Sequence, residues 1–333
     1  MLHWKKCILL LAALLVLPVT ANAAETAYPK LNLKMSTTVG EQSNAAVMAK
    51  EFAKVVGEAS KGNIRIRVYP SDQLSGGNMS KGVEMIRSGA IDCAYEPVDV
   101  MAVLDQSLLA LSIPWIFTNY QEAENSLLGS GGDYAKKTLR AQGIEALGFI
   151  HNGFRQLTNS KREIRTPEDL KAMKLRVPGG DVFVKFFRAF DADPVAMSFS
   201  ELFTALQQGT VDGQENGFDL IVANKFYEVQ KYITAWNYSY GSFALVFNKK
   251  TWDKLDDNTK KLLQEKAKEV CRLGNQNVVD SELAKRKLVT DFGCKVTDLT
   301  PEELQAFKSK LGEYYENVKK TYGAEACAAF GIK

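Results

Sequence analysis

The chain has 333 residues, 46% hydrophobic and 24% charged, with 42 lysines and arginines against 39 acidic residues and only two histidines. A chain of this size buries a large core and ordinarily divides into two lobes, so two α/β domains are the starting expectation. The near balance of charge, with no Lys/Arg block and no interleaving of basic and aromatic residues, speaks against a nucleic-acid partner.

In chain order, Lys5 and Lys6 precede an apolar run from Ile8 to Val19, and Ala21-Asn22-Ala23 has the small-x-small pattern of a signal-peptidase site. Residues 1–23 are therefore read as a signal peptide, cleaved near Ala23, and the chain as exported. No later segment has the roughly 20 apolar residues of a membrane span. Cys7 precedes the apolar run, away from the cleavage point, which argues against a lipid anchor. Without Lys5 and Lys6, 40 basic residues face 39 acidic ones, a net charge of about +1. Of the remaining cysteines, Cys93 reads as a buried thiol in an apolar strand, and any bridge is expected among Cys271, Cys294 and Cys327.

Strands are predicted over 31–36, 64–69 and 90–95, where apolar residues alternate or cluster. A helix over 45–56 and another opening at Ser75-Gly76-Gly77-Asn78 and ending near Gly89 lie between them. Strand-helix-strand order implies parallel pairing by right-handed crossovers. Glu96 follows the third strand and faces the crevice outside strand carboxyl ends. A strand over 144–150 ends at His151-Asn152-Gly153, read as a hinge crossing.

Residues 155–217 carry the densest recognition signals. Thr166, Pro167 and Asp169 start a short helix. Lys174 to Val177 forms a strand that Pro178 stops, placing Arg176 near its carboxyl end. Ser198 with Glu201 reads as a capping box for a helix closed by Gly209, and Val211-Asp212-Gly213 as a tight turn presenting Gln214, Glu215 and Asn216. Residues 219–232 look helical, Trp236, Tyr238 and Tyr240 share one face, a strand covers 243–247, a long helix runs from Asn258 to Asp291, and Thr300 caps a last helix.

Catalytic signatures are lacking. There is no G-x-S-x-G elbow, P-loop or G-x-G-x-x-G fingerprint, and His151 is the one histidine after the leader, so no metal and no cofactor is called for. The positive signal is a pair of arginines, Arg155 and Arg176, each beside a strand and each able to hold a carboxylate through two parallel hydrogen bonds.

At YPSDQL (69–74), GAIDCAYE (89–96), FRQLTNS (154–160), LKAMKLRVPG (170–179), SFSELFTALQQGTVDGQEN (198–216) and KFYEVQKY (225–232) the chain resembles the solute-binding proteins of tripartite ATP-independent periplasmic (TRAP) transporters, of the C4-dicarboxylate-binding type. The resemblance implies a two-lobed periplasmic binding protein of α/β class, with a hinge cleft and a long helix spanning both lobes. It assigns 24–153 plus 241–280 to lobe I and 154–240 plus 281–333 to lobe II. It makes Arg176 the central carboxylate-binding arginine, Arg155 a second one and Asn216 the asparagine completing that site, with Glu96 and Asn78 on the rest of the ligand. The chain departs from the family where Gly217 replaces a frequent proline, where Ala172-Met173 replaces a glycine, and where Trp236-Asn237-Tyr238 replaces a segment often carrying histidine.

The resulting expectation is a non-enzymatic, monomeric periplasmic binder that closes on a small organic acid and delivers it to a TRAP permease in the membrane. A sugar acid such as a uronate comes first, because Glu96, Asn78, Gln214 and the aromatic face with Trp236 and Tyr240 offer partners for hydroxyls and a sugar ring; C4-dicarboxylates come next. The alternatives are a secreted hydrolase using His151 and a ligand sensor docking on a membrane receptor.

Overall fold

The computed structural model describes residues 28–332; the predicted leader and its cleavage site lie outside the described residues. β1 (Leu31–Thr37), β2 (Ile64–Tyr69) and β3 (Cys93–Pro97) pair in parallel, linked by the helices Asn44–Ala59 and Met79–Ser88. Ser43 caps the first helix, which turns Ala45, Met48, Ala49, Phe52 and Val56 inward at helical spacing. β4 (Ile144–Asn159) is followed by β5 (Lys174–Val177), β6 (Asp193–Ala196), β7 (Gly213–Asn216), β8 (Tyr232–Asn248) and β9 (Lys295–Asp298). All nine strands belong to one sheet, ordered β2-β1-β3-β8-β4-β7-β5-β6, with β9 also on β8.

The antiparallel β4–β8 ribbon carries the two lobes. β3 pairs with Phe243 to Phe247 of β8, whereas β9 pairs with its other end, Tyr232 to Ala235, and β7 pairs with Gln156 to Asn159 of β4. The strand predicted to stop at Ile150 does not stop. Its register passes from His151 opposite Ser242 to Gly153 opposite Gly241, so Asn152 is the extra residue of a bulge and β4 runs on to Asn159. Gly153 there has φ +102°, which a side chain would strain. β8 likewise absorbs the aromatic stretch expected to precede a strand at 243.

The long helix, Asp257–Asp291, has 35 residues and spans about 50 Å at 1.5 Å per residue. It packs on the helix Asn44–Ala59, on β4 and on the helix Phe218–Ala223, so it touches elements of both lobes.

Other expectations shift. Residues 213–216 are a buried strand rather than a turn cluster, since they pair with β4 and β5. The Ser198 side chain makes no capping bond, although Gly209 closes that helix in the left-handed region. The helix expected over 219–232 ends at Ala223, and two helices, Gly312–Tyr322 and Ala324–Ala329, follow Pro301–Ser309. Cys93, Cys271, Cys294 and Cys327 are free and buried. Cys271 meets the Tyr95 hydroxyl and Cys294 the Gln230 carbonyl, so the region where a bridge was expected holds separate thiols.

Candidate functional site

The carboxyl ends of β3 and β5 and the β4 bulge converge on a cavity of about 20 Å³, lined by Thr38, Val39, Met79, Pro97, Asp99, Val100 and Phe243 from one lobe and by Arg155, Arg176, Pro178, Phe199, Asn216 and Leu220 from the other, with Asn152 at the bulge between. That is room for about one water, so anything larger enters only if the walls part. Contacts cross between the lobes around it: Ser200 Oγ donates to the Gly77 carbonyl at 2.9 Å and Asp219 accepts from the Asn44 amide at 3.0 Å.

The two arginines have different electrostatic fates. Arg155, 1% exposed, forms a fork onto Glu215, with Nε on Oε2 and Nη2 on Oε1 at 2.8 Å, while Nη1 lies 3.5 Å from Asp99. Tyr238 donates to the same Glu215 carboxylate at 2.6 Å. Burial works to lower the Arg155 pKa, but Glu215 and then Asp99 outweigh it and hold it above the ordinary value. Arg176, also 1% exposed, spends Nε and Nη2 on the Met197 carbonyl at 3.0 and 2.8 Å, lies over the Phe199 ring and approaches the Met79 sulfur. Among the described residues it forms no ion pair with a carboxylate. Burial, reinforced by Arg155, pulls it down to about 10 despite the attraction of Glu215. A buried cation without an acidic partner is costly unless an anion joins it.

Asn216 completes this corner. Its Nδ2 donates to Gln214 Oε1 at 2.7 Å, and Gln214 in turn donates to Thr158 at 3.0 Å, so Gln214 orients Asn216 from behind. Thus Arg155, Arg176 and Asn216 come together at the cavity and Gln214 supports them from outside it.

The remaining candidates do not reach the wall. Glu96 lies inside β3, fully buried, accepting from Thr38 Oγ1 at 2.5 Å, with Oε1 lacking a partner. Burial and then Asp72 push its pKa well above the ordinary carboxylate range; burial likewise raises Asp72 to about 6. Asn78 caps the helix Met79–Ser88 through the Lys81 amide at 2.8 Å. Trp236 packs among Trp115, Phe186, Tyr238 and Phe307, and Tyr240 among Phe117, Phe154 and His151, so the predicted aromatic face is core packing. His151 is buried, with Nδ1 2.5 Å from the Tyr240 hydroxyl, and burial lowers its pKa to about 4.

Sequence reasoning missed Asp99 and Asn152. β3 extends to Pro97, two residues past its predicted end, and runs straight into the short helix Val98–Met101, so the position beyond the strand end assigned to Glu96 belongs to Asp99 in that helix's first turn. Asn152 was visible only as part of the hinge tripeptide; the bulge turns it onto the cavity wall. The same bulge accounts for Gly217, where a Cβ would stand 2.6 Å from the Asn152 carbonyl oxygen, too close for proline or any other side chain.

Comparison with known proteins places the sequence and the fold. The sequence profile of DctP, bacterial extracellular solute-binding protein, family 7, matches residues 35–321. The C4-dicarboxylate-binding protein DctB of Bacillus subtilis (strain 168) is 28% identical over 295 residues, covering 88% of this chain and 83% of its own. A crystal structure of a TRAP periplasmic solute-binding protein from Ralstonia eutropha H16, with bound (S)-2-acetolactate, superposes with TM-score 0.87 at 31% identity, covering 90% of this chain and 98% of that one. The sugar acid binding protein DctPAm from Advenella mimigardefordensis strain DPN7T, in complex with galactonate, superposes with TM-score 0.88 at 28% identity, covering 92% and 98%. The two superposed structures cover nearly the whole of this chain, and the chain, matched by the family model over residues 35–321, belongs to the bacterial extracellular solute-binding proteins, family 7.

Proposed function

We propose that this protein is exported, captures a small organic acid in the periplasm by closing its lobes on the carboxylate, and hands it to a TRAP permease. The observation that carries the reading is Arg176, a buried guanidinium on the cavity wall with no acidic ion-pair partner among the described residues. A ligand carboxylate supplies the missing charge, with Asn216 beside it and Arg155 held rigid behind by Glu215. The relatives support the carboxylate in its general form, since DctB is named for C4-dicarboxylates and the two structures hold acetolactate and galactonate. In this reading the lobes divide at the β4 bulge and the facing Gly241, close to the boundaries 24–153 plus 241–280 and 154–240 plus 281–333, and the chain acts as a monomer.

The test is a thermal-shift screen of the processed chain, unfolded and refolded to strip any ligand, against uronates, aldonates, dicarboxylates, 2-hydroxy acids and 2-oxo acids. A ligand at about a thousand times its dissociation constant adds roughly 4 kcal/mol and raises the midpoint by several degrees. The expected result is a hit among the carboxylates that disappears in Arg176→Ala and weakens at least tenfold in Arg176→Lys. A hit that survives Arg176→Ala at full strength overturns the assignment.

A further inference from the structure

Resting on that reading, we infer that the cavity selects a compact monocarboxylic acid carrying a hydroxyl near its carboxylate, over dicarboxylates and polyhydroxylated sugar acids, and that Asp99 is the residue that discriminates.

The charges around the cavity support only one ligand anion. Glu215 already neutralises Arg155 through the fork, which leaves one uncompensated cation, Arg176, and one further acid, Asp99. Asp99 lies on the wall with a side chain 5% exposed, one oxygen 3.5 Å from Arg155 Nη1 and the other accepting the Val100 amide at 2.9 Å. A ligand seated on Arg176 therefore has a carboxylate of the protein close by. Burial raises the Asp99 pKa and Arg155 opposes the rise; in a site with little water two carboxylates side by side repel strongly, so a second ligand carboxylate enters only at the cost of protonating one of the pair and is disfavoured there. A hydroxyl is not, because Asp99 accepts its hydrogen bond.

Asn152 points to the same chemistry independently. It lines the cavity, is 5% exposed, and its Oδ1 is buried without a hydrogen-bond partner. Buried polar atoms are normally satisfied, so this side chain, which also borders the small space beside Tyr120 and Lys285, is short of a donor, and a ligand hydroxyl supplies one. The rest of the wall excludes a sugar. Val39, Met79, Val100, Phe199, Leu220 and Phe243 present carbon, and the groups expected to serve sugar hydroxyls, Asn78 and Gln214, are committed to the Lys81 amide and to Thr158 and Asn216. The polar groups left on the wall are already engaged, Thr38 with Glu96, Asn216 with Gln214 and Arg155 with Glu215, so each further hydroxyl would be stripped of water against a mostly carbon surface with few partners.

The experiment is isothermal titration calorimetry on the refolded, processed chain with five probes: the two enantiomers of 2-hydroxy-3-methylbutanoate, the same acid lacking its hydroxyl (3-methylbutanoate), succinate and galacturonate. The expected result is that one hydroxy-acid enantiomer binds at least tenfold tighter than each of the other probes, and that Asp99→Asn, which keeps shape but not charge, narrows its advantage over succinate at least tenfold. Succinate or galacturonate binding as tightly as the hydroxy acid in the wild type overturns this inference and leaves the carboxylate reading standing, whether or not the variant folds. An unchanged ratio in a folded Asp99→Asn removes Asp99 from the role. Silence with every acid, here and in the thermal-shift screen, overturns the carboxylate reading and this inference together.

Discussion

Arg155 and Arg176 look alike in the sequence, each an arginine beside a strand, and differ only in what the fold sets against them. Glu215 is two residues past Gly213 in β7, and its pairing opposite Leu157 of β4 puts its carboxylate onto Arg155. Arg176 meets a backbone carbonyl instead, which satisfies hydrogen bonds without cancelling charge. His151 shows the same dependence on surroundings. An exposed histidine titrates near 6.5, whereas burial holds His151 to about 4, so the native state resists its protonation. The stability it contributes as a neutral ring is present above about pH 6.5 and lost as pH falls toward 4, an effect of about 2 to 3 kcal/mol at pH 4.5. Asp72, raised to about 6, acts in the opposite sense, because its native form holds a proton that acidification restores in the unfolded chain only at lower pH. Urea unfolding at pH 7 and 4.5 of the wild type and His151→Gln isolates the histidine: the variant is expected to lose less on acidification by about that amount, and equal losses contradict the account.

At the scale of elements, strand ends decided which residues reached the cavity. Alternation marked the interiors of β1, β2 and β5, but β3 ran past Tyr95, and β4 and β8 ran through positions that resembled stops. Gly153 reads as a break in the sequence because glycine ends strands; in the structure it is the residue that lets a bulge continue one. Gly153→Ala forces a side chain into φ +102° and sets its Cβ 3.0 Å from the Tyr120 hydroxyl oxygen. The expected cost is about 1 to 3 kcal/mol, seen as a lower midpoint in thermal unfolding, together with weaker ligand binding as Asn152 moves. A variant as stable and as tight as the wild type argues that the bulge position tolerates a side chain.

For the whole molecule, closure depends on contacts between lobes that sequence separates widely. Asp219 accepts from the Asn44 amide at one helix start and from Lys285 of the long helix at 2.6 Å, tying three elements together beside the cleft. Asp219→Ala removes a contact made only when these elements are together, so the lobes are expected to part more readily and ligand affinity to fall about fivefold or more. Small-angle scattering of the refolded variant should give a larger radius of gyration than the wild type without ligand and the same radius with saturating ligand. Equal radii without ligand would show that Asp219 does not govern closure.

Local pattern determined much of this protein. Apolar spacing placed the first three strands and their helices, Thr300 with Glu303 capped its helix, the 35-residue helix was legible from its periodicity, and the motif set pointed to the family and to Arg155, Arg176 and Asn216. What only the tertiary structure decided was which polar residue lines the cavity. Glu96, Asn78, Gln214, Trp236 and Tyr240 all had suitable chemistry, but a side chain's direction follows from strand register and from the partners it has already found, and those partners lie far away in sequence. Thr38 claimed Glu96, Thr158 claimed Gln214, aromatic neighbours enclosed Trp236 and Tyr240, and the positions they were expected to fill fell to Asp99 and Asn152.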